Sequence, residues 1–151
     1  MAFKKETLFS VNNPVFGPVK VVSERVESVA GNSSGDRSIA LIDGERKSIG
    51  NAVYNVRNDH VYIYNIGAQR KKVGVGTAIS ALIAHYEKKP VELVAESILN
   101  RKIFERMGYL YLGTVPLKKG NGYRMRLPVS SGSSSEELKR MFARMGVPKA
   151  D

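Results

Sequence analysis

The sequence predicts a single mixed α/β domain within a chain of 151 residues. Short runs rich in β-branched and aromatic residues alternate with segments of helical periodicity, and clusters of glycine, asparagine and proline separate them. The composition, 42% hydrophobic and 25% charged, is typical of a folded domain with a core. We therefore expect a layered structure with both antiparallel and parallel strand pairs.

The first two predicted elements are a strand and a helix. Residues 3–11 alternate weakly between apolar and polar residues and end at a turn cluster, which is typical of a strand. Residues 19–30 are predicted to form an amphipathic helix, because four valines recur at spacings of three and four. These valines are Val19, Val22, Val26 and Val29. A glycine- and serine-rich loop is predicted at 31–35.

Three strands are predicted next. Residues 38–42 and 47–57 flank Asp43-Gly44, a dipeptide that favours a tight hairpin between antiparallel strands. Residues 60–66 are rich in aromatic and β-branched residues and are apolar on both predicted faces. A strand of this kind is typically central in its sheet.

The following segment alternates helices and strands and completes a domain predicted to span 1–128. Its helices are predicted from apolar stripes at helical spacing and from capping residues at their ends. In order, the elements are a helix from Gly76 to Lys89, a strand at 91–95, a helix at 98–107, and strands at 109–115 and 122–127. A connection at 116–121 joins the last two strands.

Residues 129–151 are predicted to form a serine-rich linker followed by a C-terminal amphipathic helix. Ser134 and Glu137 fit a capping box. The apolar face consists of Leu138, Met141, Phe142 and Met145. We expect this helix to dock on its own domain, because exposed apolar stripes are usually avoided. Docking on a partner is the alternative.

Composition excludes several classes of function. The chain has no cysteine, which excludes disulfides, thiolate zinc sites and a cysteine nucleophile. With only His60 and His85, we predict no metal site. No apolar run is long enough to span a membrane and no secretory signal is recognised, so a cytoplasmic location is predicted.

The net charge of +10 favours an acidic ligand or partner. A phosphate-bearing cofactor, an acidic protein surface and nucleic acid all fit this charge. Nucleic acid is the least favoured of the three, because the basic residues are scattered and no recognised nucleic-acid motif is present.

A basic, glycine-containing loop, QRKKVGVGT at 69–77, connects the predicted central strand to the following helix. Gly74 and Gly76 allow the backbone to approach a ligand closely, and the free N–H groups of a helix N-terminus attract anions. The loop is neither a Walker loop nor a dinucleotide fingerprint. It predicts a phosphate site, with a plain strand-to-helix turn as the alternative.

The order of elements and this loop together resemble the GCN5-related N-acetyltransferase (GNAT) family over about residues 3–127. The family has a Gln/Arg-x-x-Gly-x-Gly/Ala signature whose backbone amides hold the pyrophosphate of acetyl-CoA, and 71–76 fit it with Lys71 at the Gln/Arg position. The resemblance implies a central mixed, mostly antiparallel sheet flanked by helices, and a CoA thioester as acyl donor. The cofactor-binding residues that it implies are Ile66, Lys71, Lys72, Val73, Gly74, Val75, Gly76, Thr77, Asn100 and Phe104.

A second family motif, Asn-x-x-Ala-x-x-x-Tyr-x-x-x-Gly-Phe, falls on 97–109 when it is anchored on Gly108-Tyr109. Ser97 takes the place of the asparagine and Asn100 that of the small residue. Phe104 takes the place of the tyrosine that in the family commonly protonates the departing CoA thiolate. Slow turnover is compatible with this departure, because a thiolate is a good leaving group.

Candidate catalytic groups follow from the chemistry of acyl transfer, which needs a neutral amine, a polarised carbonyl and a protonated thiolate. The resemblance implies that backbone N–H groups of 64–66 polarise the carbonyl. The candidates for the base are Glu96, His60 and Asp59. The candidates for the acid are Tyr62, Tyr64, Tyr109 and Tyr111, although aromatic residues in strands more often serve packing. We take Tyr64 and Glu96 as the catalytic pair.

The predicted function is acetyl-CoA-dependent transfer of an acetyl group to an amine. We expect the amine to belong to a protein or peptide, because the segment that walls the acceptor site in the family is short here. The alternative is a catalytically weak or inactive GNAT-fold protein that binds a protein partner, such as a phage-encoded protein directed at a host. The sequence leaves the oligomeric state open.

Overall fold

The computed structural model describes residues 2–27, 37–69, 74–128 and 135–147, which contain eight strands and three helices. The elements are β1 Ala2–Asn13, β2 Gly17–Glu27, β3 Arg37–Ile42, β4 Ser48–Val56, β5 Val61–Ala68, α1 Val75–Glu87, β6 Val91–Ala95, α2 Ile98–Arg106, β7 Leu110–Leu117, β8 Gly120–Leu127 and α3 Ser135–Arg144. The strands form one sheet in the order β1-β2-β3-β4-β5-β6-β8-β7. All neighbouring strands are antiparallel except β5 and β6. The predicted mixed, mostly antiparallel sheet with a C-terminal helix is confirmed.

The helix predicted at 19–30 is wrong, because β2 occupies Gly17–Glu27. Val19 and Val21 are fully buried, while Lys20 between them is exposed, which is the alternation of a strand. Pairing with β1 on one side and β3 on the other, which local spacing does not reveal, decides between the two patterns. The predicted loop at 31–35 lies outside the described residues.

The other predicted strands and helices are confirmed, with two differences at turns. The hairpin after β3 is a five-residue loop rather than a tight turn: the Asp43 N–H donates to the Lys47 carbonyl, and the Asp43 carboxylate accepts from the Lys47 N–H. The connection predicted at 116–121 is shorter, because Leu117 already pairs with Gly120. Gly120, at φ +92, permits this two-residue turn.

The core lies between the sheet and helices α1 and α3, with Phe104 of α2 packed against it, and α1 packs on the middle of the sheet. Ile79, Leu82 and Ile83 of α1 are fully buried, whereas Tyr86, at the end of the predicted stripe, is 44% exposed. Gly50 of β4 allows α1 to lie close, because a Cβ there would be 2.9 Å from Val75 Cγ1. The sheet thus holds the N-terminal end of α1 directly against β4.

Helix α3 docks on its own domain, as predicted. It packs against β1 and α1, and Leu138, Phe142 and Met145 are buried. The ring of Phe142 meets that of Phe9 edge to face, with centroids 5.3 Å apart. The predicted capping residue Ser134 lies outside the described residues.

Asn13, at the end of β1, fixes the C-terminal end of α3. Its buried Nδ2 donates to the carbonyls of Phe142 and Met145, both at 2.9 Å. Its Oδ1 accepts from the N–H groups of Val15 at 2.8 Å and Phe16 at 3.0 Å. One side chain therefore satisfies both the turn after β1 and the helix end, where carbonyls lack intrahelical partners.

We expect Asn13→Ala to lower the free energy of unfolding by about 2 kcal/mol or more, because it leaves buried carbonyl and N–H groups without partners. The neighbouring Asn12 is exposed and provides the matched control, Asn12→Ala. Urea unfolding of both variants measures the difference. Equal midpoints for the two variants would contradict this role of Asn13.

Candidate functional site

The central strands β5 and β6 separate soon after they begin. They pair only through Val61 with Val91 and Tyr62 with Glu92. Beyond these pairs, 63–66 of β5 line one wall of a cleft, and 93–95 of β6 together with Glu96 just after it line the opposite wall. In the described part of the chain no strand pairs with β5 on this side, so its backbone groups there are available to a ligand.

A β-bulge lies at the mouth of this cleft. Val53 of β4 pairs with Asn65 and the next residue, Tyr54, pairs with Ile63, so Tyr64 is the extra residue of β5. Tyr64 is 54% exposed, and both Tyr64 and Asn65 line the cleft. The bulge thus presents two successive residues to the cleft and bends the strand, a common device beside functional sites.

The N-terminus of α1 forms the second part of the site. Gly74 precedes the helix at φ +86, and the Ala78 N–H donates to the Gly74 carbonyl at 2.9 Å as the first intrahelical bond. The N–H groups of the three residues between them, 75–77, have no intrahelical acceptor, and no acidic residue lies in this first turn. This arrangement suits an anion.

The two glycines at this end have different roles. A Cβ at Gly74 would meet no atom within 4 Å, so only its positive φ favours glycine there. A Cβ at Gly76 would lie 2.6 Å from Met107 Cε, just after α2. Gly76 therefore allows the end of α2 to approach the N-terminus of α1.

The anion-binding end and the strand cleft are continuous. A groove of about 530 Å³ runs between the N-terminus of α1 and α2, and the strand cleft adds about 190 Å³. Ile66, Asn100 and Phe104 line both parts and mark the junction between them. An elongated ligand with an anionic group at one end fits this shape.

The structure brings most of the predicted cofactor residues together. Those that line the groove or cleft are Ile66, Gly74, Gly76, Thr77, Asn100 and Phe104. The Val75 side chain is 1% exposed and lies in the core, so only its backbone is available. Lys71, Lys72 and Val73 lie outside the described residues.

Of the candidate acids and bases, Tyr64 and Glu96 line the strand cleft on opposite walls. His60 and Asp59 do not line it: they lie at the start of β5 and interact with each other at 2.6 Å. Their mutual hydrogen bond holds the pKa of the Asp59 carboxyl below its ordinary value. His60 and Tyr64 are four positions apart in the sequence, about 13 Å along an extended strand.

The other three tyrosines have partners elsewhere. Tyr109 is buried and donates to Ser80 Oγ at 2.9 Å, and its burial raises the pKa of the hydroxyl to about 12. Tyr111 contacts Thr114 Oγ1 at 2.6 Å, beneath the Arg101 guanidinium. Tyr62 lies under Arg57, 4.6 Å from its ring centroid. None of the three lines the groove or the cleft.

On the α2 side of the groove, the sequence analysis missed two lining residues. Ile103 and Met107 face the groove together with Asn100 and Phe104. These four positions are spaced i, i+3, i+4 and i+7, which is one face of a helix. Extending the helical stripe from the two residues implied by the resemblance identifies the other two.

An ionic cluster on β6 and β8 consists of Glu92, Arg124 and Arg126. Glu92 is 6% exposed and accepts from Arg124 at 3.3 Å and from Arg126 at 3.0 Å. Burial raises the pKa of Glu92, but the bonds from Arg126 and Arg124 and the nearby His60 outweigh burial and hold the pKa below its ordinary value. The cluster ties β6 to β8, the strand on the far side from the cleft.

In the described parts of the chain, no group of three or more metal-binding side chains occurs. Nor is any helix among those residues long and apolar enough to cross a membrane.

Solved structures of acetyltransferases are similar to this fold, although no protein-family model and no curated protein matches the sequence. A nourseothricin acetyltransferase is 12% identical, with 86% of this chain and 100% of that chain covered and a TM-score of 0.54. A spermidine N-acetyltransferase from Vibrio cholerae, solved with CoA and spermine, is 14% identical, with 67% and 69% covered and a TM-score of 0.52. A histone acetyltransferase-related structure from Corynebacterium glutamicum is 20% identical, with 66% and 67% covered and a TM-score of 0.50.

The chain therefore has the GNAT fold in a divergent form. The fold that the sequence resemblance implied is confirmed.

We expect Glu92 to make the protein sensitive to acid. Because the folded pKa lies below the ordinary 4.5, the cluster stabilises the fold above that pH and the stabilisation is lost as pH falls through the folded pKa. The melting temperature of the wild type should fall more steeply from pH 6 to pH 3 than that of Glu92→Gln, which lacks this titration. Glu136→Gln, at an exposed site on α3, is the control and should follow the wild type. Parallel curves for wild type and Glu92→Gln would contradict this role.

Proposed function

We propose that the chain is an acetyl-CoA-dependent N-acetyltransferase that acts on an amine of a protein or peptide. One observation carries the proposal: the N-terminus of α1 and the β5–β6 cleft form one continuous site, joined at Ile66, Asn100 and Phe104. CoA thioesters have the matching form, with a pyrophosphate at a distance from a thioester.

The residues at the α1 end fit the pyrophosphate. Three N–H groups, a positive helix end and the absence of acidic residues from the first turn favour a double anion. Gly74 leaves open space where a side chain would lie. The basic loop residues Lys71 and Lys72 precede this turn in the sequence and add long-range attraction.

The cleft residues have complementary roles in acyl transfer. When bound, the cofactor supplies an acyl thioester. The free edge of β5 at 64–66 offers N–H groups that polarise its carbonyl oxygen. Glu96 on the opposite wall accepts a proton from the incoming amine. Tyr64, on the β5 wall, is the side chain that can donate a proton to the departing sulfur.

A broad acceptor is supported by the short connection between β2 and β3. These strands pair directly, and only residues 28–36 link them. In the family the corresponding segment walls the acceptor site. A peptide segment needs more open space than an enclosed metabolite, and the net charge of +10 favours peptides with acidic flanks.

A second candidate function is a GNAT-fold protein that binds a protein partner without catalysis. The exposed apolar side chains on α2 and β7 favour it: they include Ile98, Leu99, Leu110 and Leu112, which are 45–69% exposed. Apolar side chains concentrated in this way are typical of interaction surfaces. This function does not require an intact thioester site.

Gly74→Glu should abolish binding of acetyl-CoA, because it places a carboxylate beside the N–H groups of the α1 N-terminus. At about 100 times its dissociation constant, acetyl-CoA should stabilise the wild type by about 2.7 kcal/mol in thermal unfolding. Gly120→Glu is the matched control, because Gly120 has a similar positive φ and open surroundings but lies at the β7–β8 turn. ATP serves as the polyphosphate control.

If acetyl-CoA does not stabilise the wild type in thermal unfolding, that result contradicts the acetyltransferase proposal and favours the partner-binding function. Stabilisation of Gly74→Glu equal to that of Gly120→Glu would contradict the position of the pyrophosphate.

Glu96→Gln should lower kcat/KM for acetylation of a lysine-containing peptide by about a hundredfold or more, as expected for loss of a general base. Tyr64→Phe should lower kcat with little change in KM, if its hydroxyl supplies the proton. Both variants should bind acetyl-CoA as the wild type does, measured by calorimetry. Unchanged rates would exclude the respective residue from catalysis.

A further inference from the structure

Asn100 lies where the two parts of the candidate site meet. Of the three residues that line both parts, Ile66 and Phe104 are apolar and Asn100 alone has a polar side chain. The thioester of a CoA molecule with its pyrophosphate at α1 must pass this junction to reach the cleft. The sulfur atom would then lie beside Asn100 and Phe104.

The backbone of Asn100 is fixed at the start of α2. Its N–H donates to the Ser97 side chain at 3.0 Å, and Ser97 is the N-cap of the helix. In the residues that the structure describes, no group hydrogen-bonds the Asn100 carboxamide, and the residue is exposed. Its side-chain N–H groups are therefore available to a ligand in the cleft.

The start of α2 also favours an anion at this point. Asn100 is in the first turn of α2, which has no acidic residue, so the positive end of a second helix faces the junction. In the described lining, Tyr64 and Glu96 are the titratable groups. Both lie in the strand cleft, which Asn100 also lines, so the Glu96 carboxylate opposes the effect of the helix end there. The described lining of the groove that leads to α1 contains no titratable group.

We propose that the Asn100 carboxamide donates a hydrogen bond to the CoA sulfur as it leaves, where Phe104 has no hydroxyl to do so. The inference rests on the proposed acetyltransferase function. The amine nitrogen bonds to the carbonyl carbon, the carbon–sulfur bond breaks, and its electron pair goes to sulfur. The amine proton goes to Glu96, and the sulfur takes a proton from Tyr64 or water. Asn100 stabilises the charge on sulfur without itself transferring a proton.

The test compares the binding of CoA and acetyl-CoA by calorimetry at about pH 6.5 and about pH 10, so that the CoA thiol, an alkyl thiol less acidic than that of cysteine, ionises between the two values. A donor to the thiolate makes CoA bind more tightly as its thiol ionises, whereas acetyl-CoA has no thiol to ionise. In the wild type we expect CoA to gain about tenfold in affinity over acetyl-CoA between the two values, since a hydrogen bond to a charged group has about this effect.

Asn100→Ala should remove most of this gain, and Asn100→Asp should reverse it, because a carboxylate there repels the thiolate. Asn58→Ala makes the same chemical change at an exposed turn before β5 and should retain the gain. Asn58→Ala should bind acetyl-CoA as the wild type does. For each variant, the affinity for acetyl-CoA at the same pH is the reference against which the gain of CoA is measured.

Two failures are distinguishable. If CoA and acetyl-CoA bind and Asn100→Ala keeps the full gain, the assignment of Asn100 is wrong and the acetyltransferase proposal stands. If neither ligand binds the wild type or Asn58→Ala, the acetyltransferase proposal itself fails, and the role of Asn100 fails with it.

Discussion

The candidate site depends on the limited pairing between β5 and β6. These parallel strands share two residue pairs, whereas β4 with β5 and β6 with β8 are paired along most of their lengths. Each strand is thus held firmly by its outer neighbour and is free on its inner edge. The sheet keeps one hydrophobic core on its helix side while it opens at the centre, and the backbone groups left unpaired there are a resource for binding.

Helix α1 turns this opening into a site with two ends. It connects β5 to β6, as a parallel pair requires, so its N-terminus necessarily lies near the end of β5. The contact of Val75 with Gly50 holds that terminus against β4, and buried side chains hold the rest of the helix. A helix end with free N–H groups, beside a split between strands, therefore follows from the topology together with one glycine.

The sequence predicted most of the fold because its signals there are local. Helical stripes, turn glycines and the basic loop before Gly74 all act within a few residues of themselves. The prediction of a helix at 19–30 was wrong because the valines of β2 fit both the helical period and the strand period. Only the pairing of β2 with β1 and β3 decides between the two. The site was predictable where a glycine pattern defines it, at Gly74 and Gly76.

The separation of β5 from β6 was not predictable, since it depends on how far the two strands pair in the assembled sheet. Residue type also does not distinguish the candidate tyrosines from one another. Tyr109 is buried and Tyr64 is exposed, and this difference arises only in the folded chain. Burial and strand register are properties of the assembled sheet, and a list of residues with suitable chemistry does not contain them.

The two walls of the groove differ in stiffness. The α1 wall is held against β4 at Gly50 by the side chains of Val75 and Ile79, which are buried and β-branched and therefore have little freedom to rearrange. The α2 wall ends in Met107, an unbranched and adaptable side chain that lies over Gly76. A ligand therefore meets a preorganised surface at its charged end, which limits the entropy lost on binding, and a deformable surface along its apolar length. Such a groove selects for the charged end of its ligand and tolerates variation in the size of the apolar part that follows.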